Sequence, residues 1–149
     1  MGFHVVALSS SDSKRQDCMD LGAHHFIDSS ATDVVDELNK LGGAKMIVVT
    51  APNADIVKQY TKCLKWQGKL LILAAMDEVG LNVTHLIHNS SSVLGWHAGS
   101  PLDCVDAIEF ARLHSIKAMT ENFPFTQIEK AVAHLNSGKA KYRVVLTMN

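Results

Sequence analysis

Short apolar runs along this chain alternate with stretches in which apolar positions return every three or four residues. The runs Val5 to Leu8, His25 to Ile27, Met46 to Thr50, Leu70 to Leu73 and Val93 to Leu94 predict strands. Runs around Ile116 to Met119 and Val144 to Thr147 are also strand-like but belong to a different pattern. Between them lie helical stripes. Lys14 opens a helix that stops at Leu21-Gly22. Thr32 caps a helix with Val34, Val35, Leu38 and Leu41 on one face, ended by Gly42. Asn53 caps another, with Ile56, Val57, Tyr60, Cys63 and Leu64 on its buried side. Ser100-Pro101-Leu102-Asp103 places a cap, a proline at the first helical position and an acid in the first turn. Thr126-Gln127-Ile128-Glu129 reads as a capping box, with that helix stopping near Gly138. Strands alternating with helices predict the α/β class, a parallel sheet with helices on both faces. The stripes themselves read as core packing.

Composition narrows the partners more than the fold. The chain has 149 residues, 47% hydrophobic and 19% charged, enough for one domain, 1–149, with a real core. A net charge of −1 gives no general affinity for nucleic acid or acidic membranes. No apolar run reaches the ~18 residues of a membrane span, and the N-terminus has no signal-peptide pattern. Cys18, Cys63 and Cys104 are odd in number and far apart, without metal-type spacing, which fits a reduced, cytoplasmic setting. The triplets Asn82-Val83-Thr84 and Asn89-Ser90-Ser91 then read as chance matches to the glycosylation pattern.

Taken in order, several segments resemble the cofactor domain of the zinc-type, medium-chain alcohol dehydrogenase superfamily, and within it the cinnamyl-alcohol-dehydrogenase-like, NADP-using branch. These are SSSDSK, LGAHHFID, GGAKMIVVTAP, LKWQGKLLILA, VLGWHAGSPLD and FPFTQIEKAVAHLNSGKAKYRVVL. The resemblance implies an incomplete Rossmann-like parallel sheet. The family's glycine-rich turn, the strand before it and most of the helix after it fall outside these residues. So does the catalytic domain with its cysteine and histidine zinc ligands. A fragment or a truncated relative is the expectation, and Met1-Gly2-Phe3-His4 reads as the family's own helix-to-strand connection.

In a dinucleotide fold the end of the second strand distinguishes NAD from NADP. An acid there holds the free 2′-hydroxyl, whereas hydroxyls plus a cation accept the 2′-phosphate. Here the strand ends in Ser9, Ser10 and Ser11, with Lys14 in the first turn of the next helix and Arg15 as a substitute or assistant. A second reading is that Ser11 or Ser13 caps the helix, with Ser13-Lys14-Arg15-Gln16 as a capping box and Lys14 in solvent. The resemblance favours the phosphate site, hence NADP(H). Asp12 alone argues for NAD, but it lies past the strand end.

Further cofactor positions follow from the resemblance alone. Thr50 and Ala51 fall beside the adenosine, and Ala74, Ala75 and Met76 near the nicotinamide ribose. Gly95 and Trp96 fall at the carboxamide, and Arg143 faces the pyrophosphate. Packing is the alternative for each, above all for Ala74 and Ala75. His85 and His88, or His24 and His25, lack the third ligand that a zinc site needs. No catalytic constellation assembles from linear order.

The family sheet has strand order 3-2-1-4-5-6, so the absent strand is its centre. The expectation is that the gap closes by direct pairing of the strands at Val5 and Met46 or by exchange between two chains, or else leaves poor stability and an exposed, aggregation-prone edge. The resemblance implies that the parent reaction is reversible oxidation of an alcohol to an aldehyde, with this chain supplying the cofactor side and little or no turnover alone. The alternative is a non-catalytic binding or oligomerisation module that pairs through the edge strand near Val93.

Overall fold

The computed structural model describes residues 2–148; Met1, read above as part of a helix-to-strand connection, lies outside them. The chain divides into two compact units, Met1–His97 and Ala98–Asn149. In the first, β1 (Val6–Ser9), α1 (Arg15–Asp20), β2 (His25–Asp28), α2 (Val34–Lys40), β3 (Ala44–Val49), α3 (Ala54–Tyr60), β4 (Leu64–Ile72), α4 (Val83–His88) and β5 (Ser92–Gly95) follow one another. All pairings are parallel, as the strand–helix alternation predicts: β1 with β2, and β3-β4-β5 in that order.

One core serves both sheets. Ile27 of β2, Val34 and Leu38 of α2, Ile47 and Val49 of β3, Val57 and Tyr60 of α3, and Leu64 and Leu70 of β4 form one buried cluster, with Val6 and Leu8 against it. The α2 and α3 stripes are therefore core, except Leu41, which is exposed; the helix after Ser100 buries no residue and the one after Thr126 only Ala131, so there the core reading does not hold. Asn53 caps α3 as expected, its side chain accepting from the Asp55 and Ile56 amides. The cap of α2 is Asp33 rather than Thr32. The Asp33 carboxylate takes the Val35 and Asp36 amides, while the Thr32 hydroxyl turns back to the Asp28 carbonyl.

Two features of the sheet depart from expectation. β1 and β3 do not pair, so direct closure of the gap is not the solution adopted. The helices hold the two sheets instead, α2 packing on β2 and on α3, and α3 on β3 and β4. Second, β4 begins six residues before the Leu70 to Leu73 run. Its register jumps from Ala44 opposite Leu64 to Met46 opposite Lys69, so residues 65–68 form a bulge. Polar Lys65, Gln67 and Lys69 with Gly68 interrupt the apolar pattern there, which hides the first half of the strand.

Cys63 is buried at the end of the turn after α3, its thiol donating to the Tyr60 carbonyl at 3.1 Å. Burial pushes its pKa up to about 11. Cys104 is exposed. At pH 8 a thiol reagent should modify Cys104 on the order of a hundredfold faster than Cys63, because the thiolate is the nucleophile. Mass spectrometry of partial labelling checks this; comparable rates would contradict the buried position.

The second unit contains α5 (Pro101–Leu113), β6 (Thr120–Pro124), α6 (Ile128–Asn136) and β7 (Arg143–Thr147). The Ser100–Asp103 capping box on α5 is formed, with Pro101 at the first helical position. β6 lies after the Ile116 to Met119 run, not within it, and pairs in parallel with β7. Its inward positions are Glu121 and Phe123, so a charge disguises the alternation. The Glu121 carboxylate accepts the Lys141 backbone N–H, which holds its pKa below the usual range, and lies 2.6 Å from His134 on α6. The capping box expected at Thr126 is absent. A tight turn, Phe125–Gln127, leads into α6 with no side-chain cap, and Gly138 follows its end with φ +70°.

Candidate functional site

In parallel α/β sheets ligands bind outside the carboxyl ends of the strands, and nearly all the residues singled out from the sequence stand there. Ser9 is the last residue of β1, followed by exposed Ser10 and Ser11. Thr50 and Ala51 come directly after β3, and Ala74 two residues after β4. Gly95 is the last residue of β5. Bonds from Leu73 N–H to the Val49 carbonyl (3.0 Å) and from Trp96 N–H to the Ile72 carbonyl (3.1 Å) extend the ladder past the strand ends. The segments at Thr50, Ala74 and Trp96 therefore lie side by side along one edge. Arg143 opens β7 in the second unit.

At the end of β1 the local chemistry separates the two cations. Arg15 Nε bonds Asp12 Oδ1 at 2.6 Å, its Nη1 donates to the Phe26 carbonyl at 3.4 Å, and its guanidinium lies 4.7 Å from the Phe26 ring centre. Arg15 is thus committed to its own neighbours, and Asp12 is neutralised by it. Among the described residues the Lys14 side chain makes no hydrogen bond or ion pair. Neither Ser11 nor Ser13 caps the helix. Their hydroxyls bond each other at 2.8 Å, and Gln16 bonds Asp20 instead of closing a capping box. The cap of the alternative reading is therefore absent, while Lys14 is exposed, as that reading has it.

Two open depressions border the strand ends. One, of about 330 Å³, is lined by Asp12, Arg15, Phe26, Asp28 and Thr32 among others. Bonds from the Ser30 hydroxyl and amide hold the Asp28 carboxyl below its usual pKa, so this hollow is acidic. The other, of about 470 Å³, lies between the loops after β3 and β4, lined by Pro52, Ala54, Ala75, Met76 and Asp77. The Arg15–Phe26 contact, which shapes the first, has no signal in the sequence, because strand and helix residues eleven positions apart meet only through the crossover. At Gly95 an added Cβ would meet no atom within 4 Å, so packing within the chain does not demand glycine and the space beside the strand end stays open.

A metal fares differently. Among the described residues no three His, Cys, Asp or Glu side chains converge to hold an ion. His85 Nε2 lies 2.9 Å from the Asn89 amide, so its ring is occupied within α4 and its cap. The donor set does not fit a zinc centre.

Parallel strands with helical crossovers, ending in open hollows at their carboxyl ends, define a Rossmann-like class of α/β domain. The family described as zinc-binding dehydrogenase matches residues 1–112, and the chain belongs to it. Alcohol dehydrogenase patD of Penicillium expansum is 40% identical over 147 residues, 99% of this chain but 43% of its own length. The chain therefore spans less than half of that relative. Among solved structures, a cinnamyl alcohol dehydrogenase of Sorghum bicolor is similar with a TM-score of 0.81 and 27% identity, over 97% of this chain and 41% of that one. CAD from Helicobacter pylori, solved in complex with NADP(H), is similar with a TM-score of 0.79 and 25% identity, over 99% of this chain and 42% of that one. No helix among the described residues is long and apolar enough to cross a membrane.

Proposed function

We propose that this chain binds NADP(H) through its carboxyl strand ends, as the cofactor side of a dehydrogenase that interconverts an alcohol and an aldehyde. The observation that carries this reading is that Lys14, whose side chain makes no hydrogen bond or ion pair among the described residues, follows the exposed Ser10 and Ser11 at the end of β1. A 2′-phosphate there gains a charge-assisted contact from Lys14 and hydroxyl donors from the serines. Asp12, the residue that would favour NAD, is already held by Arg15. Thr50 and Ala51 then border the adenosine, and Ala74, Gly95 and Trp96 the nicotinamide end. The NADP(H) complex of the Helicobacter pylori relative and the open space at Gly95 support this assignment. Without a donor set for zinc, the chain alone has little or no turnover. It acts in the cytoplasm, with reduced cysteines and without nucleic acid or membrane as partner.

Calorimetric titration tests this. NADPH should bind more tightly than NADH, and Lys14→Ala should weaken NADPH by about tenfold while leaving NADH unchanged. Equal affinities, or a loss shared by both cofactors, would contradict the assignment.

A second reading has its own support: β5 is the outer strand of its sheet, with one edge free among the described residues. Pairing through the edge near Val93 would make the chain a homo-oligomer. Light scattering that finds a monomer at all concentrations would remove that reading.

A further inference from the structure

The amino end of β1 is fastened by histidines. Val5 directly precedes the strand, and its carbonyl accepts from the backbone N–H groups of both His24 (2.9 Å) and His25 (3.2 Å). Its own N–H donates to Nδ1 of the His24 ring at 3.1 Å. His4 lies against both rings, 4.7 Å from that of His24 and 4.9 Å from that of His25, centre to centre. The rings meet tilted or edge to face, and they do not form a group that could hold an ion.

An imidazole nitrogen accepts a hydrogen bond only while it carries no proton. The Val5 bond therefore fixes His24 as the neutral ring with its proton on Nε2. A proton taken from solvent at Nδ1 turns the acceptor into a donor and sets N–H against N–H. Charge on His4 or His25 then adds repulsion, but all three residues are exposed, so water and salt screen it. The lost acceptor is the larger effect. The adjoining elements do not oppose it. On α1, Arg15 is bonded to Asp12 and Gln16 to Asp20, with Asp17 completing the charged set. On α2, which packs on β2, Glu37 pairs with Lys40 beside Asp36, and Asp28 closes β2 at its far end. Together these groups are net negative, which favours a proton on the rings and so favours release.

We propose that His24 is an acid-sensitive latch on the entry to β1, closed by the neutral ring through the Val5 N–H and opened by a proton at Nδ1. Because the fold holds the neutral ring, the grip on Val5 is complete at higher pH and is lost as pH falls. The other end of the β1–β2 pair, where the Ser29 N–H donates to the Ser9 carbonyl at 2.8 Å, involves no titrating group and stays closed. The latch is independent of cofactor binding.

Amide hydrogen exchange of the full chain, without nucleotide, tests this at about pH 7.5 and about pH 5.5, corrected for the intrinsic effect of pH on exchange. Exchange at Val5 should speed about fivefold in acid, with Ser29 and Leu70 unchanged. His24→Asn, whose side-chain oxygen accepts the same N–H and does not titrate, should abolish that step. The nitrogen chemical shifts of the His24 ring in the unaltered chain should show Nδ1 without a proton at the higher pH. Four results would overturn the latch: no step at Val5, a step that survives His24→Asn, equal acceleration at Leu70, or a proton on Nδ1 at the higher pH.

Discussion

Leu70→Ala should cost about 2–5 kcal/mol of stability, a large part of what a domain of this kind possesses. Leu70 is fully buried in β4, the middle strand of the three-stranded sheet, opposite Ile47 on one side and Val93 on the other. Removing its branched end loses transfer energy and leaves a cavity whose walls are strands bonded to their neighbours. They cannot collapse freely into it. Val48→Ala is the comparison on the next strand, because Val48 is half exposed. It should cost less than about 1 kcal/mol. Urea unfolding followed by Trp66 and Trp96 fluorescence measures both. Equal effects would mean that the core is not centred on β4.

Gly68→Ala should destabilise by about 1–3 kcal/mol, for a different reason. A Cβ at Gly68 would lie 2.8 Å from the Lys65 carbonyl oxygen, 2.9 Å from that of Ala44 and 3.0 Å from Leu64 Cβ. The first two are backbone atoms of the bulge and of β3, so no side-chain rotation relieves the clash. The bulge or the β3–β4 register must move. Gly95→Ala meets nothing within 4 Å and should leave the unfolding midpoint unchanged. If the nicotinamide end lies at Gly95, the same variant should still weaken NADPH binding. A stable variant with intact binding would assign that space to solvent.

The sequence carries the order of elements well because their periodicities are strong and their caps local. Asn53 and the Ser100–Asp103 box needed only neighbouring residues to act. Where a cap had a competitor, local reasoning chose wrongly: Asp33 displaced Thr32, and the tight turn at Phe125–Gln127 displaced the box at Thr126. The first half of β4 and all of β6 were hidden by inward or looped-out polar residues, whose partners lie far along the chain. Glu121 is satisfied only by Lys141 and His134. α4, capped by Asn82, was missed because its six residues are too few for periodicity to show.

Of the candidate site, the positions at strand ends were legible because strand ends are. What was not legible is which cation remains available. Lys14 and Arg15 are adjacent and alike in sequence, and only the Asp12 carboxylate and the Phe26 ring, reached through the crossover to β2, tell them apart. Nor could it be read that β1 and β3 stay unpaired with each other. That depends on the helix layer holding both sheets, a property of packing and not of any one segment.

The most direct measurement is an NMR titration of the labelled chain with 2′-AMP and, separately, 5′-AMP. These nucleotides differ only in where the phosphate sits, and neither needs a pyrophosphate cradle. The proposal predicts that 2′-AMP shifts the amide signals of Ser10, Ser11 and Lys14 saturably, that Lys14→Ala abolishes the effect, and that 5′-AMP leaves those signals in place. Equal responses to the two nucleotides, or a 2′-AMP response that survives Lys14→Ala, would contradict a ribose-phosphate site at the end of β1.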